Sequence, residues 1–300
     1  MRLPRYPIYI PSKGRWDRCL TARFLIRDGV PFHLVVEAQE AERYAAAFGR
    51  ELLLVLPFAN LGLGSIPARN WIKEHATSAG HLRHWQLDDN IRGIWRRYHG
   101  LKLPCQSGVA FTIIEDFVDR YENVAIAGMQ YYMFAPNRDK IPPFYLNCHV
   151  YSCALILNSI PHRWRGRYNE DTDLCLQVLA DGWCTVLFNA FLCRKIETMR
   201  MKGGNTDELY KGDGRLKMAR SLERLWPGVV RTKRRFRRPQ HVVFDAWKRF
   251  DTPLKLKPGI DLSKLEPNEY GMSLKQVKQE IKSKELRDLI KSHRKSLDRE

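Results

Sequence analysis

Three features are missing from this sequence, and each absence excludes a class of protein. No stretch of about 18 apolar residues occurs, so the sequence predicts no transmembrane helix. The N-terminal residues MRLPRYPIYIP lack the apolar core of a signal peptide, so we expect a cytoplasmic protein. The cysteines show neither CxxC nor Cys/His spacing, which argues against a zinc site and against a disulfide framework.

Acidic residues are scarce relative to basic ones. The 300 residues include 51 Lys and Arg but only 33 Asp and Glu, which gives a formal net charge of +18. A surplus of this size attracts polyanions, with nucleic acid first, anionic membranes second and acidic glycans third. Simple solubility is the alternative explanation for the surplus.

Apolar runs alternate with amphipathic segments in the first half of the chain. Strands are predicted at 7–11, 32–37, 52–57 and 84–89. The segments between them predict helices that glycine ends. This alternation is typical of an α/β fold with helices on both faces of a parallel sheet, in which ligands bind beyond the carboxyl ends of the strands.

The second half of the chain is less regular. Further strands are predicted at 124–130, 149–158 and 184–193. The segment DTDLCLQVLADGW, before the last of these strands, predicts a short amphipathic helix. Because the composition changes after about residue 228, we expect a catalytic domain over 1–228 and a basic, largely helical extension over 229–300.

Two acids and an amide stand at the end of the predicted strand at 84–89. Asp88, Asp89 and Asn90 supply hard oxygen ligands of the kind that Mn²⁺ or Mg²⁺ prefers. A divalent ion held there would neutralise charge on a departing nucleotide. The alternative is a polar junction between a strand and a turn, because Asp and Asn favour turns. The motif alone leaves both interpretations open.

A second acidic cluster, Asn169-Glu170-Asp171-Thr172-Asp173, precedes the predicted amphipathic helix. Acids in a first helical turn suit the helix dipole, but three acids in four residues exceed what capping needs. In inverting sugar transfer, a carboxylate accepts the proton of the attacking hydroxyl. We therefore assign Asp171 as the candidate base and Glu170 as its neighbour or as an acceptor ligand.

These segments together resemble the TET-associated glycosyltransferases, a phage-borne family of GT-A-like enzymes. No single piece is specific, and the resemblance rests on the order and spacing of the pieces over roughly residues 7–225. The matching motifs are IPSKGR from Ile10, VE from Val36 with Glu42 and Tyr44, PARNW from Pro67, LDDN from Leu87, NEDTD from Asn169 and GGN from Gly203.

The resemblance implies a GT-A-like fold with a Rossmann-type mixed sheet, a UDP-sugar donor and a divalent metal. It also implies a hydroxymethylated pyrimidine in DNA, such as 5-hydroxymethylcytosine, as the acceptor. The candidate donor-binding residues lie in the matching motifs, with Asp88, Asp89 and Asn90 also around the metal. They are Pro11, Ser12, Lys13, Arg15, Glu37, Arg69, Asn70, Asp88, Lys202, Gly203 and Gly204.

Several of these donor contacts have structural alternatives. The hydroxyl, cations and flexible glycine of the PSKGR segment suit a nucleotide diphosphate, but such a segment also makes an ordinary loop between a strand and a helix. Asn70 serves equally well as a local cap. The glycine pair at 203–204 is more often just a turn.

Two cationic segments are the candidate DNA contacts. Cations and aromatic residues alternate just before Asp171, which suits a DNA backbone or a flipped base, whereas the RTKRRFRR run at 231–238 suits phosphates. The alternatives are a mixed surface loop and a solvated charged tail. The candidates are Arg163, Trp164, Arg165, Arg167, Arg231, Lys233, Arg234, Arg235, Arg237 and Arg238.

Two other functions stay open on the sequence. A GT-A glycosyltransferase acting on a polysaccharide, a lipid or a protein shares every catalytic residue and differs only in its acceptor. A catalytically inactive relative binds DNA without transferring sugar, although the intact acids of both motifs argue against it. Saturable, salt-dependent DNA affinity discriminates against the first alternative, and turnover of a UDP-sugar discriminates against the second.

Overall fold

The computed structural model describes residues 2–138, 141–166, 168–196, 214–235, 238–244 and 246–274. The chain divides into two units, Met1–Leu256 and Lys257–Glu300. In the described part of the second unit, Leu262–Lys264 form a 3₁₀ turn capped by the side chain of Asp261. The candidate site lies entirely in the first unit.

The first unit begins with alternating strands and helices, as the apolar pattern predicts. These elements are β1 (Ile8–Pro11), α1 (Leu20–Arg27), β2 (His33–Glu37), α2 (Ala41–Phe48), β3 (Leu53–Leu56), α3 (Ile66–Ser78) and β4 (Arg83–Leu87). The strands lie in the order β3-β2-β1-β4, and each pairs in parallel with its neighbours. Their carboxyl ends therefore meet at one edge of the sheet, which is where such sheets bind ligands.

The following elements turn the parallel sheet into a mixed one. They are β5 (Ile91–Tyr98), β6 (Leu101–Pro104), α4 (Ser107–Val118), β7 (Val124–Tyr131), β8 (Phe144–Leu146), β9 (Cys153–Leu157), α5 (Glu170–Ala180) and β10 (Cys184–Lys195). The 10-stranded sheet has the order β3-β2-β1-β4-β9-β7-β10-β5-β6, and β8 also pairs with β10. β9 is antiparallel to both β4 and β7, which confirms the expected mixed α/β sheet of a GT-A-like fold.

The apolar pattern indicates neither the β5–β6 hairpin nor α4. The sequence of β5, IRGIWRRY, interrupts its apolar residues with cations, so it lacks the run that marks a strand. Helix α4 is buried on nearly every side, so its sequence SGVAFTIIEDFV has no polar face to show a helical period. Periodicity alone does not identify a buried helix.

The described residues of the basic run, 231–235 and 238, belong to the paired strands of a hairpin and not to a helix. The elements that follow β10 are α6 (Gly214–Leu225), β11 (Val230–Arg235), β12 (Arg238–Val243) and α7 (Ala246–Arg249). β11 and β12 pair antiparallel along their whole lengths. The part of the expected helical extension that covers β11 and β12 is therefore strand.

Apolar side chains hold this hairpin in the first unit. Val229, Val230 and Ala246 are buried with Leu222 of α6 and Leu176 of α5. Burial of these apolar residues offsets the conformational entropy of ordering the chain, which an isolated charged helix does not achieve. The compact unit accordingly continues past the expected boundary at residue 228, as far as Leu256.

The cysteines and the helices agree with the composition. All seven cysteines are free thiols, and most of them are buried as small apolar side chains. Among the described helices, none is long and apolar enough to cross a membrane.

The fully buried carboxylate of Asp173 joins α5 to α6. It accepts hydrogen bonds from Arg165 Nε at 2.9 Å, from the indole Nε1 of Trp226 at 2.7 Å and from Gln177 Nε2 at 2.7 Å. A buried carboxylate with this many donors is stabilised where it lies. The third acid of the NEDTD motif is therefore a packing residue.

We expect Asp173→Ala to lower the free energy of unfolding by about 2–3 kcal/mol, because the Trp226 indole and Arg165 lose a buried acceptor. The matched control is Asp181→Ala, which removes an exposed carboxylate from the C-terminal end of the same helix and should cost less than about 1 kcal/mol. Urea unfolding followed by circular dichroism measures both variants. Equal destabilisation of the two would contradict the structural role of Asp173.

Candidate active site

A cleft lies at the carboxyl ends of the parallel strands. Lys13 follows β1, Glu37 ends β2 and Phe58 follows β3, and all three line the cleft together with residues around Pro67. Lys13 Nζ lies 2.9 Å from Glu37 Oε2 and donates to Asn60 Oδ1 at 2.9 Å. The structure thus brings together two of the predicted donor contacts at the edge that the fold reserves for ligands.

Asp89 does not face this cleft. Its carboxylate is 5% exposed and accepts hydrogen bonds from Ser12 Oγ, at 2.7 Å, and from the Arg15 guanidinium. Tyr44 extends the cluster, because its hydroxyl lies 2.7 Å from Ser12 Oγ and accepts from the Arg15 backbone N–H at 3.0 Å. Burial raises the pKa of Asp89, against the lowering effect of Arg15 and Ser12. These residues shape the loop that follows Pro11, the last residue of β1.

Asp88 lies between two cations. Arg69 Nη2 donates to its Oδ1 at 2.7 Å, and Lys195 Nζ donates to its Oδ2 at 2.6 Å. Burial favours the neutral acid, but the charges of Lys195 and Arg69 outweigh it and lower the pKa of Asp88 to about 2. Asp88 is therefore a carboxylate near neutral pH, held between a residue of α3 and a residue of β10.

Lys195 is a site residue that the sequence patterns do not predict. It ends β10 and also donates to Ser152 Oγ at 2.9 Å and to Tyr131 Oη at 3.3 Å. Burial lowers its pKa, but Asp88 and Tyr131 raise it above the ordinary lysine value, so the ammonium stays charged. The available signal is the pair of cations, Arg194 and Lys195, that follows the predicted apolar strand at 184–193, and only the sheet order brings Lys195 next to Asp88.

Arg69 connects the two acidic motifs. Its guanidinium is buried, and its Nε lies 3.8 Å from Glu170 Oε1, which accepts a hydrogen bond from Ser65 Oγ at 2.9 Å. Burial raises the pKa of Glu170, Asp171 raises it further, and Arg69 opposes both effects. The LDDN and NEDTD motifs therefore occupy the same site, although about eighty residues separate them in the chain.

Asp171 is the most exposed of the three acids in the second motif. Its side chain is 37% exposed, and its Oδ2 lies 3.2 Å from His149 Nε2. The backbone N–H of Thr172 donates to its Oδ1 at 2.8 Å. Partial burial raises the pKa of Asp171, but His149 and the Thr172 N–H lower it well below its usual range. Asp171 is thus an ionised carboxylate that a ligand can reach, and His149 is a second neighbour that the sequence patterns do not single out.

The metal ligands expected in LDDN do not converge. Asp88 faces Arg69 and Lys195, Asp89 faces the loop after β1, and Asn90 Nδ2 lies 3.5 Å from the Ile196 carbonyl. The chain leaves β4 at Asp88 and turns at Asp89 and Asn90, and the two carboxylates bind different partners. Among the described residues, no three His, Cys, Asp or Glu side chains come together in a way that would hold a metal ion. The residues that the structure describes therefore do not fit the expected Mn²⁺ or Mg²⁺ site.

Two residues that were expected to contact ligands, Asn70 and Trp164, stabilise the fold instead. The Asn70 amide binds the backbone of Trp164, donating to its carbonyl at 2.8 Å and accepting from its N–H at 3.0 Å. The Trp164 ring is 4% exposed and packs in the core between α5 and the sheet, so it is not available to stack on a base as expected. An indole buries more apolar area in this core than on a loop surface, which explains the difference.

The remaining sequence predictions fall into three groups. Arg163 pairs with Glu74 at the surface and Arg165 pairs with Asp173, so both are engaged within the chain. Five of the cations that were expected to contact DNA lie in the strands of the hairpin, namely Arg231, Lys233, Arg234, Arg235 and Arg238. Lys202, Gly203, Gly204, Arg167 and Arg237 lie outside the described residues.

The hairpin presents opposite chemistry on its two faces. Arg231, Lys233 and Arg235 alternate along β11 and share one exposed face with Arg238, which pairs with Arg235. The other face carries His241, Arg234 and Thr232, whose backbone N–H donates to Glu223 of α6. Burial lowers the pKa of His241, His149 lowers it further and Asp171 raises it, so His241 lies within electrostatic range of the candidate base.

Fold and site together define a class of protein. A mixed α/β sheet carries a ligand cleft and two clusters of acids at the carboxyl edge of its parallel strands, which is the arrangement of a GT-A-like sugar-transferring enzyme. The chain belongs to the TET-associated glycosyltransferase family, whose model matches residues 6–204. A comparison with curated proteins finds no match.

Because the pKa of Asp88 is lowered in the folded state, part of the free energy of unfolding depends on pH. Because its pKa in the folded state, about 2, lies below the ordinary 3.8, the ionised group stabilises the folded chain above about pH 4. This contribution, about 2 kcal/mol, is lost as the pH falls towards 2. We expect the difference in unfolding free energy between wild type and Asp88→Asn to shrink between about pH 5 and pH 2.5. A difference that urea unfolding finds constant over this range would contradict the assignment.

Proposed function

We propose that this glycosyltransferase moves a sugar from a UDP-sugar to the hydroxyl of 5-hydroxymethylcytosine, or a related hydroxymethylpyrimidine, in DNA. Membership of the family supports the transfer of a sugar. The UDP-sugar donor and the hydroxymethylpyrimidine acceptor are what the resemblance to this family implies, and the net charge of +18 is compatible with DNA as the acceptor. Asp171 acts as the base, and Glu170 is its neighbour on the acceptor side.

The observation that carries this proposal is the position of Arg69 between the two acidic motifs. Its guanidinium contacts Asp88 at 2.7 Å and lies 3.8 Å from Glu170, the residue next to Asp171. The loops that follow β1 and β3 line the cleft together with Pro67 and Ala68 at the start of α3, just before Arg69. A donor in the cleft would therefore bring its anomeric carbon close to the candidate base, with its phosphates near a cation.

The transfer requires one proton acceptor and one stabilised leaving group. The acceptor oxygen forms a bond to the anomeric carbon, while the bond from that carbon to the β-phosphate oxygen breaks and UDP departs. The proton of the hydroxyl passes to the carboxylate of Asp171, which is ionised because its pKa lies below the usual range. Each carboxylate oxygen has two lone pairs, so the contacts to His149 and to Thr172 leave capacity for the substrate hydroxyl.

The first test combines DNA that contains 5-hydroxymethylcytosine with a panel of UDP-sugars, followed by digestion and mass measurement of the nucleosides. We expect a hexose or N-acetylhexosamine increment on the modified base with wild type. Asp171→Asn should lower the transfer rate by at least about 100-fold, because general base catalysis contributes about that much, while UDP binding is retained. Normal transfer by Asp171→Asn would overturn the role of this residue.

The exposed face of the hairpin supports DNA as the acceptor. Arg231 and Lys233 lie over the Phe244 ring, at 5.1 and 4.4 Å from its centroid, which gives them a fixed platform. A two-stranded ribbon has the width of the major groove, and the cations on its exposed face match phosphates. His241, on the opposite face, lies within electrostatic range of Asp171, so the hairpin is a neighbour of the candidate base.

We expect the double variant Lys233→Ala/Arg235→Ala to weaken DNA binding and to lower the slope of log K against log salt by about 2, because each phosphate contact contributes about 0.9. The control Arg27→Ala/Arg50→Ala removes the same charge from exposed pairs with Asp28 and Glu42. Its slope should match wild type. Equal slopes for the two double variants would favour a polysaccharide, lipid or protein acceptor over DNA.

A further inference from the structure

Both oxygens of the Asp88 carboxylate are engaged by cations of the chain itself. Arg69 occupies Oδ1 and Lys195 occupies Oδ2, at 2.7 and 2.6 Å. A divalent ion bound to this carboxylate would have to displace one of these cations or share an oxygen with it. Two positive charges beside it would also repel the ion.

Each of the two cations is fixed by other partners. Ser152 Oγ and Tyr131 Oη accept from Lys195, at 2.9 and 3.3 Å, and Ser152 also belongs to the backbone ladder, because its carbonyl accepts from the Asp88 N–H. Gln86 Oε1 accepts from Arg69 Nη1 at 3.3 Å. Groups held in this way need little reorganisation when charge develops next to them, which is the condition for electrostatic catalysis.

Two cations face the one carboxylate of Asp88. Arg69 donates to its Oδ1 and Lys195 to its Oδ2, so the positive charges outnumber the negative one at this contact. Asp89 is neutralised separately by Arg15. A guanidinium has five N–H donors, so Arg69 keeps donors for a ligand beyond those it directs to Gln86, Ser65 and Asp88.

We propose that Arg69 and Lys195 neutralise the charge of the departing nucleotide diphosphate without a divalent ion, and that Asp88 is the positioning residue that holds both cations. This inference rests on the proposed UDP-sugar donor. As the bond from the anomeric carbon to the β-phosphate oxygen breaks, its electron pair stays on that oxygen, and Arg69 donates an N–H to the phosphate while Lys195 supplies charge. The proton of the acceptor goes to Asp171, so no other reactant is needed.

The experiment measures UDP binding by the full chain by calorimetry, once with excess EDTA and once with Mn²⁺. Free Mn²⁺ is followed separately by its paramagnetic resonance signal, with and without UDP. We expect the same UDP dissociation constant in both conditions and no loss of the free Mn²⁺ signal beyond that caused by UDP alone.

Three variants test the role of Lys195. Lys195→Met should weaken UDP binding in EDTA by about tenfold or more, because a charged partner is lost. Lys195→Arg should restore most of the affinity. Lys248→Met removes an exposed lysine of α7 and should bind UDP as wild type does. Thermal melting checks that each variant is folded, and a Lys195→Met chain that is folded and binds UDP normally would overturn the proposal.

The outcomes separate this inference from the proposed function. UDP binding that requires Mn²⁺, with stoichiometric loss of the free Mn²⁺ signal, overturns the metal-free site and leaves the UDP-sugar donor standing. Failure to bind UDP in either condition overturns the donor and this inference together. Binding in EDTA, with the expected order of the variants, supports both.

Discussion

The candidate site depends on one buried guanidinium. Arg69, in the first turns of α3, is the cation that makes it possible for Asp88 and Glu170 to lie close together in a partly buried place, where two carboxylates alone would repel each other. Because Ser65 and Gln86 also contact Arg69, helix α3, strand β4 and the start of helix α5 constrain one another.

Positive charge has two physically different roles in this chain. The buried cations Arg69, Lys195 and Arg15 each face a carboxylate, so they define local geometry and add little to the field outside. The exposed cations of the hairpin face solvent and contribute to a long-range field that attracts polyanions. The net charge of +18 therefore says more about the surface than about the site.

The three acids of the NEDTD motif have three different roles. A helix advances by about 100° per residue, so Asp171 and Asp173 point in nearly opposite directions. One is exposed next to His149, whereas the other is fully buried against Trp226 and Arg165. Glu170, between them in the helical projection, faces Arg69. Three acids of similar chemistry thus become a candidate base, a packing residue and a link to the first motif.

Local patterns in the sequence determined the alternation of strands and helices and the α/β class. They also determined the edge of the sheet that carries the site and the acids Asp88 and Asp171. These features follow from local patterns because periodicity and strand ends are properties of neighbouring residues. The tertiary structure alone decided what each acid faces. Lys195 and His149 reach the site through pairing of β10 and β9 with distant strands, and the burial of Trp164 depends on packing between elements far apart in the chain. The divergence of Asp88 and Asp89 likewise depends on where Arg69, Arg15 and Lys195 lie, since side-chain partners are set by contacts between elements and not by spacing along the chain.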